Sequence, residues 1–157
     1  MTTTSTPHTE VAEVTLSPRT IVGRRERVRI ADLADFFGRA LSMVAAELAR
    51  DGIEPVGPPV AVYRQEIRHT FEVTVGFPVT RLPDTDALVR MRLPVGRAVQ
   101  AVHTGPYATL PETYELISDW FAQRRLRPPG VMWEEYLASP DASGEAHCLT
   151  RVVYPLP

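Results

Sequence analysis

An internal repeat constrains this chain more than any other feature. Residues 57–63 align with residues 130–136 at an offset of 73, since both segments run from a glycine through an apolar stretch to a tyrosine. A helical apolar stripe keeps the same offset, with Phe37, Leu41, Val44 and Leu48 matching Leu110, Tyr114, Ile117 and Phe121. Residues 76–79 match residues 153–156 at an offset of 77, which implies a longer loop in the second copy. Landmarks in one register predict a duplicated supersecondary unit.

The local patterns within each copy predict one helix and three strands. Asp32 is a suitable N-cap and Gly52 a suitable C-terminal residue for the first helix, and the second spans about 110–123. Strands are predicted at 60–65, 68–79, 87–93, 98–104, 133–137 and 147–154, with a turn near 67–70. Residues 11–29 fit either two short strands or one bent strand. The fold class is therefore α+β, with duplicated β-α-β-β units forming an antiparallel sheet, two helices and a central ligand groove.

These patterns also set the predicted domain organisation. The Thr-rich start lacks the basic and apolar regions of a signal peptide, so residues 1–10 are expected to form a disordered tail. Residues 11–157 form a single domain of two repeats, about 14–80 and 95–157. Residues 80–97, which contain two prolines and a glycine, connect the repeats.

The segment around Glu134 is the candidate binding strand. Because successive side chains of a strand point to opposite faces, Glu134 and Tyr136 share one face, and Trp133, Glu135 and Leu137 share the other. A carboxylate among aromatic rings suits a flat, electron-poor or cationic ligand. An edge-strand glutamate in water beside core rings is the alternative. The repeat favours a site, since Tyr63 corresponds to Tyr136 whereas Ala61 corresponds to Glu134, so only one copy carries the acid.

Each predicted helix carries a second apolar stripe beside the one expected to pack on the sheet. The first helix has Phe36, Ala40 and Met43, and the equivalent positions on the second are Thr109, Thr113 and Leu116, followed by Trp120. One stripe suffices to cover a sheet, so the surplus stripe is expected to face the other half. Phe36, Met43 and Trp120 are thus candidate ligand contacts, with an ordinary inter-repeat core as the alternative.

Composition and motifs exclude several other functions. The formal net charge is −2, and all 17 basic residues are arginine, which suggests a GC-rich bacterial genome rather than nucleic-acid binding. No apolar run reaches the length of a membrane span, and the single Cys148 fits a reducing cytoplasm. The four histidines show no metal-ligand spacing, so we expect neither a metal nor a cofactor. The oligomeric state stays open.

Several of these segments together resemble the GyrI-like family, also found as the effector-binding domain of AraC- and MerR-type multidrug regulators. The resemblance covers most of residues 14–157. It rests on residues 103–107, the helix from Leu110 to Trp120, the closing residues 154–156, and above all the Trp133-Glu134-x-Tyr136 strand. Val131 and Met132 depart from the family, which usually has prolines there. The resemblance implies a groove for lipophilic, often cationic, aromatic molecules, with Glu134 as the acidic contact.

Two functions follow from this resemblance. The first is a stand-alone binder that sequesters such molecules, with Glu134, Tyr136, Tyr63, Phe36, Met43, Trp120 and Trp133 as contacts. The second is a hydrolase that opens the cyclopropane ring of DNA-alkylating cyclopropanoid natural products. In that case Glu134 would orient or deprotonate the attacking water, and Tyr136 and Tyr63 would polarise the developing phenolate. A third possibility is an accessory protein that binds a macromolecule, as some family members inhibit DNA gyrase.

Overall fold

The computed structural model describes residues 10–157, except the side chains of residues 65–67. The first nine residues of the predicted tail lie outside this range. The elements are, in chain order, β1 (Ala12–Leu16), β2 (Thr20–Arg29), α1 (Leu33–Arg50), β3 (Val60–Ile67), β4 (Thr70–Val79), β5 (Val89–Arg92), β6 (Gly96–Thr104), α2 (Leu110–Gln123), β7 (Val131–Ala138) and β8 (Leu149–Pro155). A short 3-10 turn precedes each helix. Neither described helix is long and apolar enough to cross a membrane.

The sheet has eight strands in the order β1-β6-β8-β7-β3-β4-β2-β5, and every neighbouring pair is antiparallel. The order β2-α1-β3-β4 is repeated as β6-α2-β7-β8, and the two copies meet at the β3–β7 pair. The α+β class with duplicated β-α-β-β units is therefore confirmed. Each copy also adds an edge strand to the other. β1, which precedes β2 of the first copy, pairs with β6 of the second, and β5, which precedes β6 of the second copy, pairs with β2 of the first.

A pseudo-twofold axis passes through the middle of the β3–β7 pair. Ala61 pairs with Glu134, which is its own equivalent in the repeat, and Val60 and Val62 pair with Glu135 and Trp133. Residues related by the axis therefore lie symmetrically about this one cross-strand pair. Directly opposed residues of an antiparallel pair project from the same face. Glu134 consequently stands at the centre of the sheet, with Tyr63 and Tyr136 two positions away on either side.

The helices cover one face of the curled sheet, and a separate apolar cluster fills the other. That cluster includes Ile21, Val62, Met91, Trp133 and Val153, with contributions from both edge regions. On the helix face, one cluster packs under the amino-terminal part of α1 and another under α2. The two helices thus sit over separate halves of the sheet, and the space between them lies above β3 and β7.

The prediction of which α1 residues pack on the sheet is wrong for the first half of the helix. The buried residues are Phe36, Ala40, Val44 and Leu48, whereas Leu33, Phe37 and Leu41 are only partly buried. Apolar side chains occupy both position 36 and position 37, so spacing alone does not decide which one faces the sheet. In this half of α1 the buried face is therefore rotated from the predicted one by about one residue, roughly 100° around the helix axis.

The turns explain where several elements end. Gly52 has a φ of +66°, and its amide and that of Ile53 donate to the carbonyls of Ala49 and Leu48, which closes α1 as predicted. Arg68 and His69 both have positive φ and form the tight turn between β3 and β4 within the predicted segment. Asp32 precedes α1 but makes no side-chain capping bond; its carboxylate accepts from Arg29 instead.

Candidate functional site

Strand β7 divides its side chains between the two faces as predicted. Trp133 and Glu135 point away from the helices, where the Trp133 Nε1 donates to Glu135 at 3.3 Å. Glu134 and Tyr136 point into the space between the helices. Glu134 is only 5% exposed, so the reading of it as a solvated edge glutamate is wrong.

The space between the helices is an open cavity of about 1030 Å³, with the apolar character and size of a drug-sized ligand site. The cavity floor comes from β3 and β7, and its sides come from α1, α2 and the turn at residues 128–130. Leu33 and Leu110 contribute aliphatic surface. Seven aromatic rings line it, namely Phe37, Tyr63, Phe71, Tyr107, Tyr114, Tyr136 and Tyr154.

Three phenol groups converge on the Glu134 carboxylate at the cavity floor. Its Oε1 accepts hydrogen bonds from Tyr136 at 2.7 Å and from Tyr63 at 3.2 Å. Its Oε2 accepts from Tyr114 at 2.5 Å. Tyr63 and Tyr136 are equivalent residues of the two repeats, whereas Tyr114 replaces the leucine at position 41. The site therefore combines a symmetric pair of donors with one donor that only the second copy provides.

The Glu134 carboxylate has more acceptor positions than the three tyrosines use. An ionised carboxylate offers about four acceptor positions, two on each oxygen. Three of them are used by tyrosines in the described part of the chain, so Oε2 retains one acceptor position, and Glu134 itself lines the cavity. Among the described residues, none forms a salt bridge with Glu134. The carboxylate is thus held by neutral donors, and the part of the chain that the structure describes gives it no cationic partner.

Burial and the nearby Glu134 carboxylate raise the pKa values of the tyrosines around it. Burial and then the nearby Glu134 charge raise the pKa of Tyr63, Tyr114 and Tyr136 well above the usual value of 10. The same two causes raise the pKa of Tyr154 to about 12. Burial, followed by interaction with Cys148, raises the pKa of Tyr107 to about 12. All of these phenols stay protonated near neutral pH and act as donors and as ring surfaces.

Ring-to-ring contacts hold the cavity walls in place. Tyr136 packs edge-on against Phe37 of α1 with centroids 4.8 Å apart, and against Tyr107 at 6.2 Å. On the other side, Tyr114 packs edge-on against Tyr154 at 6.5 Å. Such edge-to-face pairs are the favoured geometry of aromatic side chains. The rings around Glu134 therefore support one another, and the carboxylate is surrounded by fixed aromatic surfaces.

A buried histidine fixes the start of α2, which carries Tyr114. His103 on β6 is 4% exposed, and its ring nitrogens contact Thr113 Oγ1 at 2.8 Å and Thr109 Oγ1 at 2.9 Å. Both threonines lie on the first turns at the start of α2. His103 therefore positions the start of α2. Within the described part of the chain, no group of three or more His, Cys, Asp or Glu side chains could hold a metal ion.

The predicted site residues fall into two groups. Glu134, Tyr136 and Tyr63 come together at the cavity floor. Phe36, Trp120 and Trp133 lie instead in the apolar clusters, where packing against the sheet buries them, and Met43 is half-buried on α1. None of these four lines the cavity. Trp133 lies on the opposite face of the sheet from Glu134, and on the helices Phe37, Leu110 and Tyr114 of the stripe assigned to the core line the cavity instead.

Sequence reasoning missed three cavity tyrosines, Tyr107, Tyr114 and Tyr154. Tyr114 belongs to the stripe expected to pack α2 on the sheet, and Tyr107 and Tyr154 are not among the predicted contacts, yet all three line the cavity. The repeat held the signal for Tyr114, because the equivalent residue is Leu41 and a hydroxyl in an otherwise apolar stripe needs a buried partner. Tyr107 carries no comparable signal in the sequence.

A family model for the GyrI-like small-molecule-binding domain matches residues 9–156. The chain belongs to the GyrI-like family. Solved structures agree on the fold. This GyrI-like chain is 15% identical to EcmrR in its DNA complex and covers 57% of that chain, with 94% of its own length aligned and a TM-score of 0.75. With the EcmrR C-terminal domain alone it is 13% identical, covers 98% of that chain with 95% of its own, and has a TM-score of 0.76.

Two further solved structures share the fold. SAV2435 bound to tetraphenylphosphonium is 12% identical over 94% of both chains, with a TM-score of 0.70. A hydrolase from Listeria innocua is 12% identical, with 98% of this GyrI-like chain and 94% of that chain covered and a TM-score of 0.65. No curated protein sequence matches the chain significantly. At these identities the neighbours establish the fold, and they leave the ligand to be inferred from the site.

Proposed function

We propose that this GyrI-like domain binds lipophilic aromatic cations in the cavity between α1 and α2. The observation that carries the proposal is the Glu134 carboxylate, which is 5% exposed, lies on the cavity floor and has three phenol donors but no salt bridge among the described residues. A buried charge without a counter-ion is unfavourable, so a ligand cation would recover electrostatic energy there.

The lining supports a large aromatic ligand rather than a small polar one. Ring faces attract cations through their quadrupoles, and seven rings surround the space. Arg64 also lines the cavity, but its side chain is exposed, so water and salt screen its charge more than that of buried Glu134. SAV2435, which shares the fold, was solved with tetraphenylphosphonium, a cation of this kind.

Two ions of nearly equal shape and opposite charge test the proposal. Tetraphenylphosphonium and tetraphenylborate would be titrated calorimetrically into the wild-type protein and into Glu134→Gln. We expect the cation to bind the wild type and the anion to bind much more weakly. In Glu134→Gln the affinity for the cation should fall by about 1–3 kcal/mol, the range for losing a buried charge-assisted contact.

The matched control is Glu115→Gln, which makes the same charge change at an exposed position of α2 next to Tyr114. Its affinity for the cation should equal that of the wild type. Equal binding of the two ions by the wild type, or unchanged cation binding in Glu134→Gln, would contradict the proposal.

A second candidate function is hydrolysis of cyclopropanoid compounds, and the open acceptor position on Glu134 Oε2 favours it. A water bound there could add its oxygen to the strained ring carbon. The carbon–carbon bond would break, the electron pair would form a phenolate, and Glu134 would accept the proton released by the water. Tyr63 and Tyr136 keep their protons at neutral pH, so once Glu134 is protonated each could redirect its single O–H from the carboxylate to the phenolate oxygen.

Turnover in labelled water separates the two candidates. Under the hydrolase hypothesis, a cyclopropanoid drug incubated with a small molar fraction of protein in ¹⁸O water gives a ring-opened product carrying one labelled oxygen. Glu134→Gln should abolish the product while leaving the fold intact. Stoichiometric protection of the drug without any labelled product would instead support binding alone.

A further inference from the structure

A second polar cluster lies on the opposite face of the sheet from the aromatic cavity. Its centre is Glu135, which is 3% exposed. Glu135 Oε1 accepts from Arg19 NH1 at 3.2 Å and from Arg151 NH1 at 3.4 Å, and its Oε2 accepts from the Trp133 indole at 3.3 Å. Two guanidinium groups therefore approach one carboxylate oxygen, and the cluster carries one positive charge in excess.

The donors of this cluster greatly outnumber its acceptors. Each guanidinium has five N–H groups. Within the described part of the chain, each of these two arginines makes one hydrogen bond, and the buried Nε of Arg151 has no partner. Glu135 is well supplied with donors, whereas the arginines are poorly supplied with acceptors. An acceptor with negative charge would therefore complement this cluster.

Space for such a group adjoins both arginines. A cavity of about 150 Å³ is lined by Arg19, Arg151 and Glu135, together with the polar residues Thr15, Ser17 and Gln100. The side chains of the two arginines are each 33% exposed, so solutes can reach both of them, although the Arg151 Nε itself is buried. This volume is well below that of a drug-sized site, which restricts an occupant to a few heavy atoms.

We propose that this cavity between Arg19 and Arg151 binds a small oxyanion, either a carboxylate or a phosphate. The planar guanidinium fork matches the oxygen spacing of both groups, and paired arginines are typical of such sites. An occupant would balance the excess positive charge and accept from N–H groups that Glu135 leaves unused. This site is separate from the aromatic cavity and does not depend on the function proposed for Glu134.

Trp133 provides a direct reporter, since its indole donates to Glu135 and the chain has only two tryptophans. Sodium acetate and sodium phosphate would be titrated into ¹⁵N-labelled protein at fixed pH, with chloride holding the ionic strength constant. We expect a saturable shift of the Trp133 indole signal with at least one oxyanion. The Trp120 indole, which packs near Arg124 in another cluster, serves as the internal reference.

Variants decide whether the arginines are responsible. Arg19→Gln leaves a neutral Arg151–Glu135 pair, and we expect it to weaken the apparent affinity by about tenfold or more. Arg97→Gln removes an exposed arginine that pairs with Glu13 on the same sheet, and it should titrate like the wild type. Glu134→Gln should also titrate like the wild type.

The proposal is overturned if the Trp133 signal does not move, or if it moves linearly with concentration and equally with chloride. It is also overturned if Arg19→Gln shows the wild-type shift and affinity. If the arginines only brace the sheet, Arg19→Gln lowers the thermal midpoint and the wild type shows no saturable shift with either oxyanion. A response to phosphate alone, or to acetate alone, supports the site and identifies which oxyanion it takes.

Discussion

At the scale of single residues, the three tyrosine contacts of Glu134 are unequal. Tyr114 donates to Oε2 alone and at 2.5 Å, whereas Tyr63 shares Oε1 with Tyr136 and lies at 3.2 Å. Hydrogen bonds to charged groups weaken as they lengthen, and an oxygen with a second donor loses less when one donor is removed. The contribution of each hydroxyl to stability should follow this order.

Removing single hydroxyls tests that ranking. We expect Tyr114→Phe to lower the free energy of unfolding by about 2 kcal/mol, because Oε2 loses its one protein donor. Tyr63→Phe should cost about 1 kcal/mol, since Oε1 keeps Tyr136. Urea denaturation measures both values, and the pair is matched because each variant removes one phenol oxygen. A larger loss for Tyr63→Phe would show that the bond lengths do not govern these energies.

The raised tyrosine pKa values predict how stability depends on alkaline pH. Tyr154 has a pKa of about 12 in the folded protein and 10 when unfolded, so its neutral form favours folding. That contribution is complete below pH 10 and is lost as the pH rises from 10 to 12. The free energy of unfolding should therefore fall over this window, and Tyr154→Phe should make the fall shallower. An unchanged slope in the variant would contradict this origin.

At the scale of secondary structure elements, two glycines set how closely β2 and β4 approach. Gly23 pairs with Gly76, and a Cβ on Gly76 would overlap the carbonyl oxygen of Val22 and lie 2.6 Å from the Cα of Gly23. Both obstacles are backbone atoms, which cannot move aside as a side chain end can. The pair therefore sits where the sheet needs glycine.

The same glycine-to-alanine substitution should change the stability of the protein in opposite directions at Gly76 and at Gly38. We expect Gly76→Ala to destabilise the protein by about 3 kcal/mol through this overlap. Gly38 lies inside α1, is exposed and has no atom within 4 Å of an added Cβ, so Gly38→Ala should stabilise by about 1 kcal/mol. Thermal unfolding of both variants is the measurement. Two effects of the same sign would contradict the assignment.

How much the sequence predicted also depends on the element. Both helices were placed to within a residue, because their apolar spacing and the glycine or prolines that follow them are local signals. The face of α1 was misjudged because Phe36 and Phe37 are equally apolar, and only the sheet selects between them. Glu134 was found through its asymmetry in the repeat. The Arg19–Glu135–Arg151 cluster was not found, since Arg19 lies more than a hundred positions from the other two residues and no local pattern links them.

At the scale of the whole molecule, the exchanged edge strands tie the two repeats together. Each copy lends one strand to the other, through the β1–β6 and β2–β5 pairs, and the copies share the β3–β7 pair at the centre. A single copy would leave these strand edges and the apolar cluster on the helix-free face exposed. The repeats should therefore fold as one unit, even though each contains a complete β-α-β-β order.

Separate expression of residues 1–85 and 86–157 tests this interdependence. We expect neither half to show a cooperative thermal transition alone, since each lacks its exchanged strand and the central partner strand. An equimolar mixture should recover a cooperative transition and the aromatic signals of a packed core. Cooperative unfolding of either isolated half would show that a repeat is stable without its partner.

The Ala61–Glu134 pair implies that the acid could stand in either copy, which gives two versions of the cavity related by the pseudo-twofold axis. Because both residues occupy the same central point, a second acid at position 61 would face the first across adjacent strands, so only one copy can carry the charge. Exchanging them, as Ala61→Glu with Glu134→Ala, would keep the two tyrosines that the repeats share and forfeit Tyr114, whose counterpart is Leu41. Under the proposed function, the orientation of a bound cation would depend on this helix residue, and the inverted protein would show what Tyr114 adds.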